Sequence, residues 1–193
     1  MKAVNDSYST IRIVDDGSYG LIQLSLVSRI GVERKTKVNN NFVGLLQPAP
    51  SDLLEKLSRL LSDRIGDADE DIIIGMYKSG IVVSGSLALA RQSKFCWSTP
   101  DRLASDCIEY HEPHRPEQKH YLYGLRPGDK VLIVEDEITS GKGVAGLTKK
   151  LRQHGVRVVG IASYLETLNF NGRLTIKLET GIDLVSLAQV ELS

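Results

Sequence analysis

Short apolar runs alternate with longer mixed segments along most of the chain. The apolar runs are rich in β-branched residues, which predicts strands buried on both faces of a parallel sheet. They cover residues 72–74, 94–99, 131–134 and 156–165. The segments between and before them predict helices at 53–65, 81–91 and 144–154. Strands that alternate with helices predict an α/β domain, with a mostly parallel twisted sheet flanked by helices.

The two ends of the chain carry different patterns. Residues 11–14 and 20–29 predict strands, and the turn residues between them predict an antiparallel hairpin. Residues 174–178 and 184–187 predict edge strands. The segment 100–123 shows no clear period and is rich in proline, charge and histidine, which predicts a long loop of the kind that forms lids or binding sites.

Residues 130–146 contain the group of side chains best suited to binding a ligand. Its buried strand leads into Glu135, Asp136 and Glu137, and a small polar loop at 139–143 then leads into a helix. Loop N–H groups and a helix N-terminus suit a phosphate group. Carboxylates at a strand end accept hydrogen bonds from ribose hydroxyls, directly or beside a metal ion. The stretch therefore predicts a site for a phosphorylated sugar.

Residues 131–143 resemble the phosphoribosyl diphosphate (PRPP) binding motif of the type I phosphoribosyltransferases. In that family an apolar strand ends in two acids, followed two residues later by Thr or Asp, Thr or Ser, and Gly. The resemblance implies that Glu135 and Asp136 hold the ribose hydroxyls and Mg²⁺, directly or through water. The residues implied to hold the 5-phosphate are Thr139, Ser140, Gly141, Lys142 and Gly143.

Residues 72–91 predict a second strand–loop–helix unit, and its loop resembles the diphosphate loop of the same family. The implied pyrophosphate ligands are Tyr77, Lys78, Ser79 and Gly80. A lysine at this place suits an anionic leaving group. An ordinary turn with an exposed lysine is the alternative, and the position one unit before the acidic strand favours the binding loop.

The family has a mobile catalytic loop where this chain has residues 100–123. The resemblance implies that His111, His114 or Arg115 closes over the reacting centre. The sequence of this segment resembles that of a bacterial branch of the family, whose members are encoded alongside tellurium-resistance stress genes. A zinc site is a weaker alternative for the histidines, because matched cysteine or histidine pairs are missing, and a functionally silent loop is another.

The N-terminal fifty residues resemble the hood that covers the acceptor base in this family. A basic run within them offers Arg34, Lys35 or Lys37 to a diphosphate, of the same or a neighbouring subunit. A solvated loop is the alternative for each of these cations.

Three other site classes compete for the central stretch. Gly141 to Gly146 spell G-x-G-x-x-G with Glu166 twenty residues further on, which is the pattern of a dinucleotide-binding module. That fold needs its first glycine directly after the strand, and unneutralised acids repel a pyrophosphate. A receiver domain needs more strands than remain after the acids. A P-loop is excluded because Gly143, not Ser or Thr, follows Lys142.

The composition indicates which kinds of partner and which compartment to expect. The formal net charge is zero, so no overall field attracts nucleic acid or a membrane surface. The first residues lack an apolar signal core and no apolar run reaches spanning length, which predicts a cytoplasmic protein. Cys96 and Cys107 are far apart in sequence, and we expect reduced thiols.

Together these features predict a single domain of residues 1–193. Residues 1–50 form the hood and N-terminal hairpin, and 51–193 form the α/β core with the mobile loop 100–123. The implied activity is transfer of ribose 5-phosphate from PRPP to a nitrogenous base by a magnesium-dependent homodimer. A PRPP-sensing regulator without turnover is an alternative, and a dinucleotide-binding module is a lesser one. Thr139 resembles the orotate-type branch and stands where enzymes of 6-oxopurines carry an Asp, so we expect no efficient use of hypoxanthine or guanine.

Overall fold

A computed structural model describes residues 8–28, 36–112 and 115–193, and within them the side chains other than those of 112 and 115–117. The elements of these residues are, in order, β1 (Ile11–Asp16), β2 (Leu24–Ser28), β3 (Thr36–Asn40), α1 (Ser51–Ile65), β4 (Ile72–Gly75), α2 (Gly80–Arg91), β5 (Lys94–Trp97), β6 (Ile108–Glu112), β7 (Arg115–Leu122), β8 (Lys130–Ile138), α3 (Lys142–Gln153), β9 (Arg157–Thr167), a 3₁₀ turn (Leu168–Phe170), α4 (Gly172–Thr180) and β10 (Leu184–Leu192). Among these helices, none combines the length and apolar character needed to cross a membrane.

The largest sheet of the described residues has the strand order β1-β10-β9-β8-β4-β5. Its neighbouring strands run parallel, except that β1 is antiparallel to β10. The expectation of an α/β domain with a mostly parallel sheet is therefore confirmed. Parallel strands end at the same edge of a sheet, so the loops that follow β4 and β8 lie side by side.

The sheet separates two apolar cores, as the alternation along β8 shows. Leu132 and Val134 belong to one core with residues of α1, α2 and the hood, whereas Val131 and Ile133 belong to the other with residues of α3 and α4. These β8 side chains are at most 1% exposed. A strand buried on both faces explains the unbroken apolar run in the sequence.

The N-terminal hairpin is present with different arms from those predicted. Residues 11–14 do not pair with residues 20–29, because β1 lies on the edge of the large sheet and β2 pairs with β3. The Asp16 carboxylate accepts hydrogen bonds from the N–H groups of Ser18 and Gly20, at 3.0 and 2.8 Å. The turn therefore carries the chain from the sheet to the hood, and the partner of β1 lies at the other end of the sequence.

The prediction that residues 100–123 form a structureless loop is wrong over most of the segment. Strands β6 and β7 pair antiparallel. Ile108, Tyr110 and Leu122 are at most 5% exposed and pack into the core beside α3. The segment therefore buries apolar surface that its charged and histidine residues conceal in the sequence. Motion of this segment stays a prediction.

The C-terminal strand predictions also need correction. Residues 174–178 alternate apolar and polar positions as an edge strand would, but they lie in α4. Leu174 and Leu178 are exposed, and α4 buries Gly172, Ile176 and Thr180 at a spacing of four residues. Residues 184–187 begin β10, which lies between β9 and β1 and is not an edge. An alternation of five residues did not distinguish helix from strand here.

Candidate active site

A cavity of about 250 Å³ lies where the carboxyl ends of β4 and β8 meet. Its walls come from three parts of the chain: strand β3 of the hood, the loop between β4 and α2, and the end of β8 with the loop after it. The lining residues are Lys37, Tyr77, Lys78, Ser79, Glu135, Asp136, Glu137 and Thr139. The fold thus brings both predicted loops and the predicted acids to one place, which is where open α/β sheets bind ligands.

Two of the three acids are held by close neighbours. A methyl group on Gly80 would lie 2.7 Å from Glu135 Oε2, so glycine permits the first residue of α2 to approach this carboxylate. The positive end of a helix dipole stabilises an anion at such a position. The Glu137 Oε1 atom accepts a hydrogen bond of 2.6 Å from the hydroxyl of Thr167. These acids lie within β8, although the sequence placed them after the strand.

The third acid, Asp136, carries a perturbed charge. Burial raises the pKa of Asp136 to about 6, the negative charge of Glu137 adds to the rise, and the ammonium of Lys37 opposes it. An additional cation in the cavity would favour the ionised carboxylate further. The electrostatics of the site therefore favour a ligand that brings positive charge to the acids.

The acids could hold a magnesium ion together with waters and a phosphorylated ligand. Over the described part of the chain, no group of three or more His, Cys, Asp or Glu side chains could hold a metal by itself. Carboxylate oxygens such as those of Glu135 and Asp136 are nevertheless the donors that Mg²⁺ prefers, and this ion keeps waters and substrate phosphates among its ligands. The donor set fits magnesium that arrives with a phosphorylated substrate.

The loop between β4 and α2 is anchored from outside the unit. The N–H of Tyr77 donates a hydrogen bond of 3.0 Å to the hydroxyl of Ser98, which also accepts one of 2.8 Å from the hydroxyl of Tyr110. The peptide bond between Tyr77 and Lys78 is cis. The Lys78 ammonium lies 5.6 Å from the centre of the Tyr77 ring. This loop therefore presents a cation to the cavity, while Ser98, itself bonded to Tyr110 of β6, holds the backbone at Tyr77.

The loop after β8 forms the start of α3. Gly141 has φ +69°, a left-handed conformation that favours glycine, and its carbonyl accepts the hydrogen bond from the N–H of Ala145. No side chain caps this helix end. The first N–H groups of a helix, here those of Lys142 and Gly143, have no acceptor within the helix. Such groups are a ready site for a phosphate.

The two described histidines of hairpin β6–β7 lie in different environments. His120 is 1% exposed and lies between the rings of Tyr77 and Tyr110, with ring centres 5.6 and 5.5 Å away. His111 is exposed, lies 3.5 Å from Glu109, and is not among the residues that line the cavity.

His114 lies outside the described residues. The backbone of Arg115 begins β7, and its side chain is outside the description. The described residues therefore place the His120 ring beside Tyr77, in the loop between β4 and α2, and His111 is not among the residues that line the cavity.

Glu166 is unavailable to a ribose, which removes the support for a dinucleotide-binding module. Its side chain is 2% exposed and pairs with the Arg173 guanidinium. The same carboxylate accepts hydrogen bonds from Ser186 at 3.0 Å and from Gln189 at 2.9 Å. An acid with these partners is part of the interior packing.

Several lining or supporting residues were missed or left open by the sequence. Lys37 lines the cavity, whereas Arg34 and Lys35 lie outside the described residues. Glu137 is a third lining acid, and its position two residues after Glu135 on the same strand could have suggested it. Ser98 follows β5 and supports the loop between β4 and α2, and no local sequence signal marks that role.

The comparisons with known proteins agree on one kind of enzyme. No model of a known protein family matches the chain. A hypoxanthine/guanine phosphoribosyltransferase of Methanothermococcus okinawensis is 27% identical over 130 residues, 66% of this chain and 70% of that protein. An adenine phosphoribosyltransferase of Caldicellulosiruptor saccharolyticus is 27% identical over 147 residues, 69% and 77% of the two chains. An orotate phosphoribosyltransferase of Desulforamulus reducens is 28% identical over 127 residues, 65% and 59%.

Solved structures show the fold. The adenine phosphoribosyltransferase of Rhodothermus marinus superposes with a TM-score of 0.70 at 18% identity, over 86% of this chain and 93% of that one. The enzyme from Giardia lamblia, solved with 9-deazaadenine, gives a TM-score of 0.72 at 14% identity, over 91% and 98%. The chain therefore has the phosphoribosyltransferase fold, and its sequence relatives carry phosphoribosyltransferase names.

Proposed function

We propose that this chain is a phosphoribosyltransferase that transfers ribose 5-phosphate from PRPP to a nitrogenous base and releases pyrophosphate. The observation that carries the proposal is the shared cavity of two phosphate-suited loops and three acids at the ends of β4 and β8. The names of the relatives support the same reaction. PRPP carries a 5-phosphate, two ribose hydroxyls and a diphosphate. The acids and the loop between β4 and α2 line the cavity, and the loop after β8 reaches its wall at Thr139.

The acids take the ribose. Glu135 and Asp136 accept hydrogen bonds from the ribose hydroxyls, directly or through waters of a magnesium ion. Magnesium supplies charge neutralisation for the diphosphate leaving group. The raised pKa of Asp136 supports this role, because a carboxylate that burial has destabilised gains most from a nearby cation.

The two loops divide the phosphates. The residues assigned to the 5-phosphate are Thr139, Ser140, Gly141, Lys142 and Gly143, where the helix start supplies N–H donors. The residues assigned to pyrophosphate are Tyr77, Lys78, Ser79 and Gly80. Lys37 faces the same cavity from the hood and adds a second cation for the diphosphate.

The reaction requires the protein mainly to position the substrate and to stabilise the charge of the leaving group. Departure of pyrophosphate leaves an oxocarbenium-like ribose, so the reaction gains from fixing both ends of PRPP and stabilising the leaving group. His111, His114 or Arg115 would close over this centre and exclude water. Closure is a proposal about the tip of the hairpin β6–β7, where part of the chain lies outside the described residues.

The acceptor base is the next level of the proposal. Thr139 lines the cavity and cannot act as a base near neutral pH, which resembles the orotate-type branch. We therefore expect no efficient use of hypoxanthine or guanine, although two relatives are named for those bases. Turnover of PRPP with hypoxanthine or guanine at a rate similar to that with orotate would refute this expectation.

Three narrower proposals accompany the activity. The chain acts as a homodimer, it works in the cytoplasm, and it falls near the branch encoded with tellurium-resistance genes. A single domain of residues 1–193 is a fourth proposal, in which the hood is the part of residues 1–50 that follows β1, because β1 lies in the large sheet. Light scattering of the purified protein measures the oligomer, and a monomer at working concentration would refute the dimer.

Calorimetry of PRPP binding with magnesium tests the function at the site. The double variant Glu135→Gln with Asp136→Asn removes both ribose acids, and we expect at least about a hundredfold weaker binding. The control variant Asp52→Asn with Glu55→Gln removes two exposed carboxylates of α1 and should bind normally. Binding that is unchanged in the folded double variant, or a preference for NAD over PRPP, would refute the assignment.

A further inference from the structure

The N-terminus of α4 packs directly against the phosphate loop. A methyl group on Gly172 would lie 2.1 Å from the carbonyl oxygen of Thr139 and 2.7 Å from a methyl of Ile138. A methyl group on Gly141 would lie 2.6 Å from the carbonyl oxygen of Gly172. The backbones of the two segments therefore touch at two glycines, and any shift of α4 toward the loop must displace the loop.

An ion pair between the buried Glu166 and the partly exposed Arg173 fixes α4 at this place. Arg173 follows Gly172 and donates two hydrogen bonds to the Glu166 carboxylate, at 3.2 and 2.5 Å. Its guanidinium also donates to the Leu184 carbonyl at 2.5 Å and to the Ser186 hydroxyl at 2.9 Å. The guanidinium thus joins the start of α4 to β9 and β10.

The pair lies beside the loop but outside the cavity. Glu166 is the sheet neighbour of Ile138, the residue immediately before Thr139. Neither Glu166 nor Arg173 is among the residues that line the cavity. Their effect on a ligand must therefore pass through the contact of Gly172 with the loop.

We infer that Glu166 and Arg173 are positioning residues that hold Gly172 against the Thr139–Gly143 loop and so set its N–H groups for the 5-phosphate. Backbone donors bind a phosphate well only when they are held within a fraction of an ångström. The inference rests on the proposed function. It adds that affinity for one end of the substrate depends on a salt bridge outside the cavity.

Two kinds of substitution should separate this role from general stability. Gly172→Ala inserts a methyl where no space exists, and Arg173→Met removes the ion pair without touching the loop. We expect each variant to bind ribose 5-phosphate about tenfold more weakly. Binding of pyrophosphate with magnesium should change by less than about twofold, because the Tyr77–Gly80 loop lies on the other strand–loop–helix unit.

Conservative and remote variants complete the set. Arg173→Lys keeps the charge and loses the two-pronged geometry, so it should recover part of the ribose 5-phosphate affinity. Lys149→Met breaks an ion pair between α3 and α4, with Glu179 at 2.8 Å, and should leave both affinities unchanged. Gly146→Ala adds a methyl on α3 with no atom within 4 Å and is the matched control for Gly172→Ala.

Calorimetric titration with ribose 5-phosphate and with magnesium pyrophosphate gives the result for every variant. A selective loss of ribose 5-phosphate affinity in Gly172→Ala and Arg173→Met supports the inference. Equal losses for both ligands, or none, would overturn it and leave the proposed function standing. Failure of the unchanged protein to bind either ligand would instead overturn the proposed function. If Gly172→Ala does not fold, the comparison of Arg173→Met with Arg173→Lys decides alone.

Discussion

The two strand–loop–helix units around the cavity share a plan but are supported differently. In the first, the loop between β4 and α2 is held by Ser98 and by the stacked rings of hairpin β6–β7. In the second, the loop between β8 and α3 is held by α4. Each phosphate-suited loop thus depends on an element that lies outside its own unit. We therefore expect that substitutions can weaken binding of the two ends of the proposed substrate PRPP separately.

The largest expected effect comes from a substitution in the first unit, where Gly75 packs closely against α2. A methyl group on Gly75 would lie 2.1 Å from the Ser84 hydroxyl and 2.7 Å from the Gly80 carbonyl. Gly75→Ala should therefore lower the free energy of unfolding by about 2–3 kcal/mol, as overpacking of a tight junction does. Urea denaturation measures the change. Gly146→Ala, with open space around its methyl, should not destabilise, and equal stability of both variants would contradict the packing argument.

The next effect sharpens the contrast between the loops. Ser98→Ala leaves the part-buried N–H of Tyr77 without its acceptor, which destabilises the native loop by about 1 kcal/mol. We expect binding of magnesium pyrophosphate to weaken by about tenfold while ribose 5-phosphate binding stays within about twofold. Tyr110→Phe removes only the second hydrogen bond to Ser98 and should have a smaller effect. Equal weakening of both ligands would show that the loops are not separately supported.

Both strand–loop–helix units could be predicted from the sequence, but the residues that support their loops could not. Strand, loop and helix of each unit are contiguous, and their strands are apolar enough to identify. Gly172 and Ile176 contact the loop after β8 only because the fold brings residue 172 next to residue 139. The segment at 174–178 alternates as a strand would, although tertiary contacts make it a helix.

The same limit applied to the hairpin β6–β7. Tyr110 and His120 stack beside Tyr77, a contact between distant residues that no local periodicity encodes. Charges and histidines around these residues suggested a solvated loop. The acids and loops of the candidate site could be located from a motif, whereas the side chains that position them required the fold.

The smallest expected effect concerns the carboxylate of Asp136 in the second unit. The pKa of Asp136 is raised to about 6 from an ordinary 3.8, so this group contributes stability fully below pH 4 and loses it as pH rises through 6. Asp136→Asn should therefore be more stable than the parent protein by about 1 kcal/mol at pH 8, after allowance for partial exposure.

Urea denaturation of both proteins at pH 8 and near pH 4.5 measures that difference. The advantage of Asp136→Asn should shrink at the lower pH. A variant that is less stable than the parent at pH 8 would show that the ionised carboxylate is a favourable partner in the unliganded fold.

Turnover with PRPP and magnesium tests the central claim most directly. The protein is supplied with PRPP and, in turn, with orotate, adenine, hypoxanthine, guanine and xanthine, while pyrophosphate and nucleotide are quantified. The account predicts that at least one base gives equal amounts of nucleotide and pyrophosphate, and that the Glu135→Gln, Asp136→Asn variant gives neither. Tight PRPP binding without nucleotide formation from any base would contradict the enzyme and favour a sensor of PRPP.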